Sequence, residues 1–358
     1  MLDIVGIGTL NVDYTATSEA VSGMNGKKLE EAMKSFEYGA ERLADEEGIA
    51  RIISILGKDS FGAALGGSAF NTICCIASLG SDLKAGFSGI SGETGRPELS
   101  FEGTFENLGV DTSFLAGCSG ESSGRCVSIN QSGTRSFVYY HGCNSRMGGF
   151  LRGNYRRLLE YVSGARLLHI TQFSDSETSE LLHKLAEDAK KANPGLLLSC
   201  DPGYTWLKNL EPSVAGILRL ADFLFLNERE FTLLSGEKGE VPDAAKAERI
   251  SAELGLSGMK ILVKKETEIK LYRMDVCTAE ESSFSIDVIG ADKIIDATGA
   301  GDAFDAGYLA AVLTGEAEEK LAVELGMMLM RVKLETEPEN LREAFEGAFE
   351  RWKAAAGY

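Results

Sequence analysis

The sequence predicts an α/β protein with a mostly parallel central sheet flanked by helices on both faces. Three observations carry that expectation. From Tyr155 onward, helix-like and strand-like segments alternate, the order that βαβ units produce. The chain begins with a short apolar run, Leu2 to Gly8, which reads as a buried first strand feeding a turn. Near the other end, Ile294-Ile295 leads into Gly299 and Gly301, then an Ala-rich stretch to Thr314 and Gly315. That succession reads as a strand, a glycine turn and a glycine-closed helix.

The elements follow in order. The turn after the first strand falls at Thr9 to Asp13. Leu29 to Leu56 is amphipathic and rich in helix formers, enough for one or two helices. After Gly66-Gly67, the nearly charge-free stretch Ala69 to Leu79 ends at Gly80 and reads as a buried helix. Leu83 to Ile90 and Gly124 to Ile129 are expected strands. Gln131-Ser132-Gly133-Thr134 has turn chemistry between Cys126 to Ile129 and Ser136 to Tyr140, which predicts a hairpin.

The alternation then runs as helix to Gly164, strand Leu167 to Thr171, helix Glu177 to Lys191 and strand Leu196 to Cys200. Helix Pro212 to Leu220 and strand Phe223 to Leu226 follow, then strands at Lys260 to Lys264 and Lys270 to Arg273. From Ala303 the chain reads as mostly helical. With no internal repeat, low-complexity tract or linker, residues 1–358 are expected to form a single domain.

Composition narrows the function. At 358 residues, 44% hydrophobic and 25% charged, the chain is ordinary globular protein, which excludes disordered, collagen-like and mucin-like classes. A net charge of −18 repels phosphate backbones and anionic lipid, so neither nucleic acid nor membrane is an expected partner. Seven scattered cysteines without a C-x-x-C pair suit free thiols in a reducing cytoplasm. Three histidines without metal-ligand spacing argue against zinc. The N-terminus lacks a basic leader and no apolar run reaches about 18 residues, so neither signal peptide nor membrane span is expected.

The chemistry concentrates in Asp296-Ala297-Thr298-Gly299-Ala300-Gly301-Asp302-Ala303-Phe304. Glycines opening a helix let backbone N–H groups converge where the helix dipole favours an anion. Asp302, in the first turn, is placed to take a proton from a hydroxyl attacking phosphorus. The bland reading is that Asp302 complements the helix dipole and the glycines serve packing. The length of the Thr-Gly-Ala-Gly-Asp run favours the functional one.

These residues resemble the C-terminal signature D-T-x-G-A-G-D-x-F of the ribokinase-like, or PfkB, sugar and nucleoside kinases. The resemblance implies transfer of the γ-phosphoryl group of ATP to a sugar or nucleoside hydroxyl. Asp302 would be the general base, and Gly299, Ala300 and Gly301 the anion hole. It further implies Mg2+, and a monovalent cation such as K+ near Asp296 and Thr298. Gly6-Ile7-Gly8-Thr9-Leu10-Asn11-Val12-Asp13 is similar to the family's opening strand, which implies acceptor hydroxyls on Asn11 and Asp13. Gly66-Gly67-Ser68-Ala69-Phe70-Asn71 resembles the G-G-x-x-x-N signature and implies acceptor contacts from Gly66, Gly67 and Asn71. Asn227-Glu228-Arg229-Glu230 matches N-x-x-E, implying that Asn227 and Glu230 organise hydrated Mg2+; the same residues also spell a helix capping box. Asp201-Pro202-Gly203 resembles the family's D-P-N/G turn.

The fold implied is ribokinase-like, with a small β-lid from segments near 12–25 and 110–145, through which family members often pair as homodimers. The long segment between Asp13 and Gly66 resembles the adenosine-kinase branch. Where the family carries T-x-G-x-x-G beneath the nucleotide, this chain reads Lys264-Lys265-Glu266-Thr267-Glu268-Ile269. Glu266 and Ile269 replace both glycines, and Lys264 or Lys265 is left to offset the glutamate. Met327-Met328-Leu329-Met330 reads as core, with a wall against adenine as the alternative.

The altered loop raises a second possibility, a pseudokinase that binds a sugar or nucleoside as a sensor; the intact Asp302 argues against it. A Rossmann-type dinucleotide site at Gly6-Ile7-Gly8 fails because Asn11 stands where the fingerprint needs glycine.

Overall fold

Strand side chains alternate between two faces, and here both faces are apolar. Phe223 and Phe225 pack into one core cluster while Leu224 and Leu226 pack into another. Leu167 and Leu168 divide in the same way. Such strands need helices on both sides, the condition of a buried parallel sheet.

The computed structural model describes residues 1–16, 27, 41–56, 61–131, 134–237, 241–275, 278–315 and 318–357. In chain order the elements begin with β1 (Ile4–Ile7), β2 (Asn11–Ala16), β3 (Glu41–Leu43), α1 (Glu46–Leu56), β4 (Phe61–Gly66) and α2 (Ser68–Ala77). Next come β5 (Ala85–Glu93), α3 (Phe101–Leu108), β6 (Asp111–Ser122), β7 (Gly124–Gln131) and β8 (Thr134–Tyr140). The alternating half comprises α4 (Met147–Ser163), β9 (Leu167–Thr171), α5 (Ser176–Ala192), β10 (Leu197–Asp201), α6 (Gly203–Lys208), α7 (Pro212–Leu220), β11 (Phe223–Asn227), α8 (Glu228–Ser235) and α9 (Asp243–Leu254). Strands β12 (Lys260–Lys264), β13 (Glu268–Asp275) and β14 (Thr278–Ser285) precede helices α10 (Ala300–Thr314), α11 (Glu319–Glu335) and α12 (Leu341–Ala356).

Among the described residues there are two sheets. The larger runs β14-β13-β12-β11-β10-β9-β1-β5-β6; its pairs are parallel apart from β12–β13 and β13–β14. Strand order reverses between β1 and β9, and ligands of open α/β sheets bind at the carboxyl ends of the strands at such a point. The smaller sheet runs β3-β8-β7-β2-β4. Its inner face (Val12, Tyr14, Val127, Ile129 and Val138) packs on Ile49 and Ile52 of α1. No helix among the described residues is long and apolar enough to cross a membrane.

Several expectations need correction. Asn11 opens β2 rather than lying in a turn. Segment 111–122 is a strand of the large sheet, so the small sheet takes only 124–140 from the second expected lid segment and adds β3 and β4. Residues 17–25, the rest of the first lid segment, lie outside the described residues, as do 29–40 of the stretch expected to be helical; its described remainder holds β3 and α1. Ile294 and Ile295 are not a strand: both are exposed, and the Ile295 N–H donates to the Leu334 carbonyl at 2.8 Å. Apolar character alone did not make them a strand: the Ile295 backbone is tied to the end of α11 instead of to a sheet.

Candidate active site

Helix α10 begins at Gly299, whose φ of 78° is left-handed, and no side chain caps it. Glycine is needed there: a Cβ would stand 3.1 Å from Asn71 Nδ2 in a backbone region other residues rarely adopt. The uncapped N–H groups of the first turn are available to an anion.

Asp302 lies in that first turn, and α2 fixes its side chain. Ser68 Oγ donates to Oδ1 at 2.6 Å and Asn71 Nδ2 donates to Oδ2 at 2.7 Å. Burial raises the Asp302 carboxyl to about 6, with neighbouring Asp201 adding to the rise and the two hydrogen bonds and Lys264 opposing it. Asn71, expected to touch acceptor, gives one amide N–H to the carboxylate.

Asp302, Asp201 and Asp305 have oxygens within 4.8 Å of one another. Three carboxylates so close are balanced by Lys264, whose Nζ lies 2.9 and 3.1 Å from the oxygens of fully buried Asp305 and 3.4 Å from Asp201. Burial alone would push the Lys264 ammonium down, but Asp305 and Asp201 outweigh it and keep it charged. A Cβ on Gly301 would stand 3.4 Å from this ammonium, so a fixed positive charge lies beneath the start of α10. Lys265 turns away, to Asp243 at 2.7 Å and Glu228 at 3.1 Å.

Asn227 and Glu230 form the capping box of α8: the Glu230 N–H donates to Asn227 Oδ1 at 2.9 Å, and the Asn227 N–H donates to Glu230 Oε2 at 2.9 Å. Asn227 is the register partner of Lys264, which brings the box to the same end of the sheet. Amide and carboxylate oxygens suit a hydrated Mg2+. Asp296 differs: Oδ1 accepts the Thr298 N–H at 2.8 Å and Oδ2 accepts Lys333 Nζ at 2.7 Å.

A cavity of ≈ 220 Å³ lies at the β1–β9 reversal, lined by Thr9, Asn11, Asn144 and Gln172 and by the rings of Phe137, Tyr139, Tyr140 and His141. Asn144 Nδ2 donates to Asn11 Oδ1 at 3.1 Å. Asp13 is on the same face of β2 as Asn11, against Gly66, where a Cβ would overlap its carboxylate. A second cavity of ≈ 530 Å³ is lined by Lys265, Glu266, residues 285–289, Ile294, Met327, Met328 and Met330. Those methionines wall a cavity while Leu329 is core. The 264–269 segment is a tight β12–β13 turn closed by the Lys265 N–H to the Glu268 carbonyl at 3.0 Å, with Ile269 fully buried.

Reading the sequence missed Ser68 as a partner of Asp302, and missed Asp305 and the aromatic residues of the smaller sheet. Asp305 had one signal, an acidic residue three positions after Asp302 on the same face of an otherwise apolar helix. The aromatic set had none, because β7–β8 pairing brings it over β1.

Residues 54–336 match the pfkB family carbohydrate kinase family. The chain is 34% identical over 133 residues to the nucleoside kinase of Methanocaldococcus jannaschii, an alignment covering 37% of this chain and 39% of that relative. Its fold is similar to Anopheles gambiae adenosine kinase in complex with P1,P4-di(adenosine-5) tetraphosphate, with TM-score 0.79, 20% identity, and 95% and 98% of the two chains covered. Ribokinase from Giardia lamblia superposes with TM-score 0.72 at 16% identity, covering 98% and 99%.

Proposed function

This chain belongs to the PfkB family of carbohydrate kinases, and from that premise we propose that it transfers the γ-phosphoryl group of ATP to a nucleoside hydroxyl. The observation that carries the reading is Asp302, held by Ser68 and Asn71 at the uncapped start of α10 beside the Lys264 ammonium. In the reaction the acceptor oxygen forms a bond to γ-phosphorus as the bond to the β,γ-bridging oxygen breaks. The acceptor proton passes to Asp302, and ADP leaves with the electron pair. A carboxyl near 6 is ionised at neutral pH yet basic enough to take that proton.

The N–H groups of turn 299–301 and Lys264 stabilise charge on the transferring group. Asn11 and Asp13 bind acceptor hydroxyls, Gly66 and Gly67 admit the close backbone approach, and Asn71 acts through Asp302. Thr298 flanks the donor phosphates, and the donor base occupies the cavity walled by Met327, Met328 and Met330. Mg2+ bound with the donor would supply neutralising charge to its phosphates, and Asn227 and Glu230 would hold its water shell. The smaller sheet acts as a lid that excludes water.

A nucleoside is favoured over a free sugar by the four aromatic rings of the acceptor cavity, since a base offers a flat face to stack and a sugar does not. The nucleoside and adenosine kinases among similar proteins support this choice. The free thiols of Cys74, Cys75, Cys118, Cys143 and Cys200 accord with a cytoplasmic setting.

The test is ADP release from ATP and Mg2+ across a panel of nucleosides and free sugars. Nucleoside turnover is expected, falling by about 10²–10⁴-fold in Asp302→Asn with acceptor affinity retained. Turnover on sugars alone would overturn the acceptor class, and acceptor binding without turnover would favour a sensor.

A further inference from the structure

The monovalent cation that the family resemblance places at Asp296 and Thr298 does not fit this loop. A cation there needs the Asp296 carboxylate, and each of its oxygens already has a donor. Oδ1 accepts the Thr298 N–H at 2.8 Å and Oδ2 accepts the Lys333 ammonium at 2.7 Å. A second cation on the same carboxylate would face the ammonium at a few ångströms, where like charges repel strongly in partly buried surroundings.

The ammonium is built in rather than draped over the surface. The Lys333 side chain is 15% exposed and lies in the last turn of α11. The next residue, Leu334, accepts the Ile295 N–H at 2.8 Å, so the helix end and the loop are pinned together beside the ion pair. Lys333 also shares the wall of a ≈ 520 Å³ cavity with Gly299, Ala303 and Asn71. Its charge therefore lies behind the turn that opens α10.

We propose that Lys333 is the resident cation of this loop: its ammonium shapes and charges the 296–301 turn, and phosphoryl transfer here requires no exchangeable monovalent cation. The proposal rests on the reading of that turn as the anion hole. A fixed positive charge behind the hole holds its N–H groups toward the transferring group without an ion having to bind first.

The experiment compares wild type, Lys333→Ala, Lys333→Met and Lys333→Arg in choline chloride and in KCl, by turnover and by thermal melting. Wild type is expected to change by less than about twofold between the salts, and Lys333→Arg to behave like it. Lys333→Ala should lose about tenfold or more in choline and recover in KCl, because the vacated carboxylate can take K+. Lys333→Met, whose stem fills the space without charge, should lose activity and not recover. The Tm of Lys333→Ala should rise in KCl relative to choline, as binding to the folded state requires, while that of wild type stays level.

Severalfold activation of wild type by KCl would overturn the proposal, as would full activity of Lys333→Ala in choline. If wild type turns over no acceptor in either salt, the kinase reading fails. The melting comparison still decides whether Lys333 occupies a cation site, since a salt-independent Tm in Lys333→Ala contradicts it.

Discussion

The proposed role of Asp302 as a base rests on its surroundings. Burial and Asp201 raise its carboxyl to about 6, while Ser68 and Asn71 orient both oxygens. A carboxyl raised on folding is destabilising once ionised. Its contribution is fully present below the unfolded value of about 4 and is lost as pH climbs through about 6. Asp302→Asn cannot ionise, so its Tm relative to wild type should increase between about pH 4.5 and about pH 7.5; a difference that stays constant would show that the carboxyl is not perturbed. Lys264 and Asp305 form the adjoining buried pair. Asp305→Ala leaves the ammonium its longer partner, Asp201 at 3.4 Å, and should lower unfolding free energy by about 3–5 kcal/mol, while Lys264→Met, which leaves the clustered carboxylates unbalanced, should cost at least as much. Chemical denaturation measures both. At this scale, legibility followed contiguity: residues 296–304 announce themselves, being consecutive. Ser68 and Lys333 are invisible as site residues, because α2 and α11 deliver them from distant sequence.

The capping box of α8 shows one element serving two ends. Asn227 and Glu230 satisfy each other's backbone N–H groups, and they stand beside Lys264 at the edge where donor phosphates are proposed to lie. Asn227→Ala should cost about 1 kcal/mol in stability and raise the Mg2+ concentration needed for half-maximal activity. Asn227→Ser keeps a cap, so its stability should stay near wild type while the Mg2+ requirement still rises. An unchanged requirement in both variants would leave Asn227 a purely structural cap. Helix and strand existence was readable along the alternating half, where Leu167–Thr171 and Pro212–Leu220 match their expected bounds. The failures have physical causes. Ile294 and Ile295 carry strand-like side chains, but the Ile295 N–H bonds to the end of α11 and not to a strand. Segment 111–122 falls within the lid that the family resemblance implies, yet it pairs with β5 of the large sheet, a choice of partner that only long-range pairing sets.

For the whole molecule, the −18 net charge works against an anionic donor and is neutral toward an uncharged acceptor. Screening with choline chloride from about 0.01 to 0.15 M should therefore lower KM for ATP while leaving KM for a nucleoside nearly level. Parallel changes in both would place the effect elsewhere. At the carboxyl ends of the parallel strands, Asp201 closes β10, Asn227 closes β11 and Lys264 closes β12, with Asp302 beside Asp201, and the proposed acceptor cavity opens by Thr9 and Gln172, just past β1 and β9. The most direct test of this account is single-turnover transfer of labelled γ-phosphate from ATP to a nucleoside, followed across pH in wild type and Asp302→Asn. Wild type should form labelled product with a rate that falls below about 6, and the variant should be slower by orders of magnitude with no inflection there. Product formation by Asp302→Asn at the wild-type rate, or intact ATP beside bound nucleoside in wild type, would contradict it.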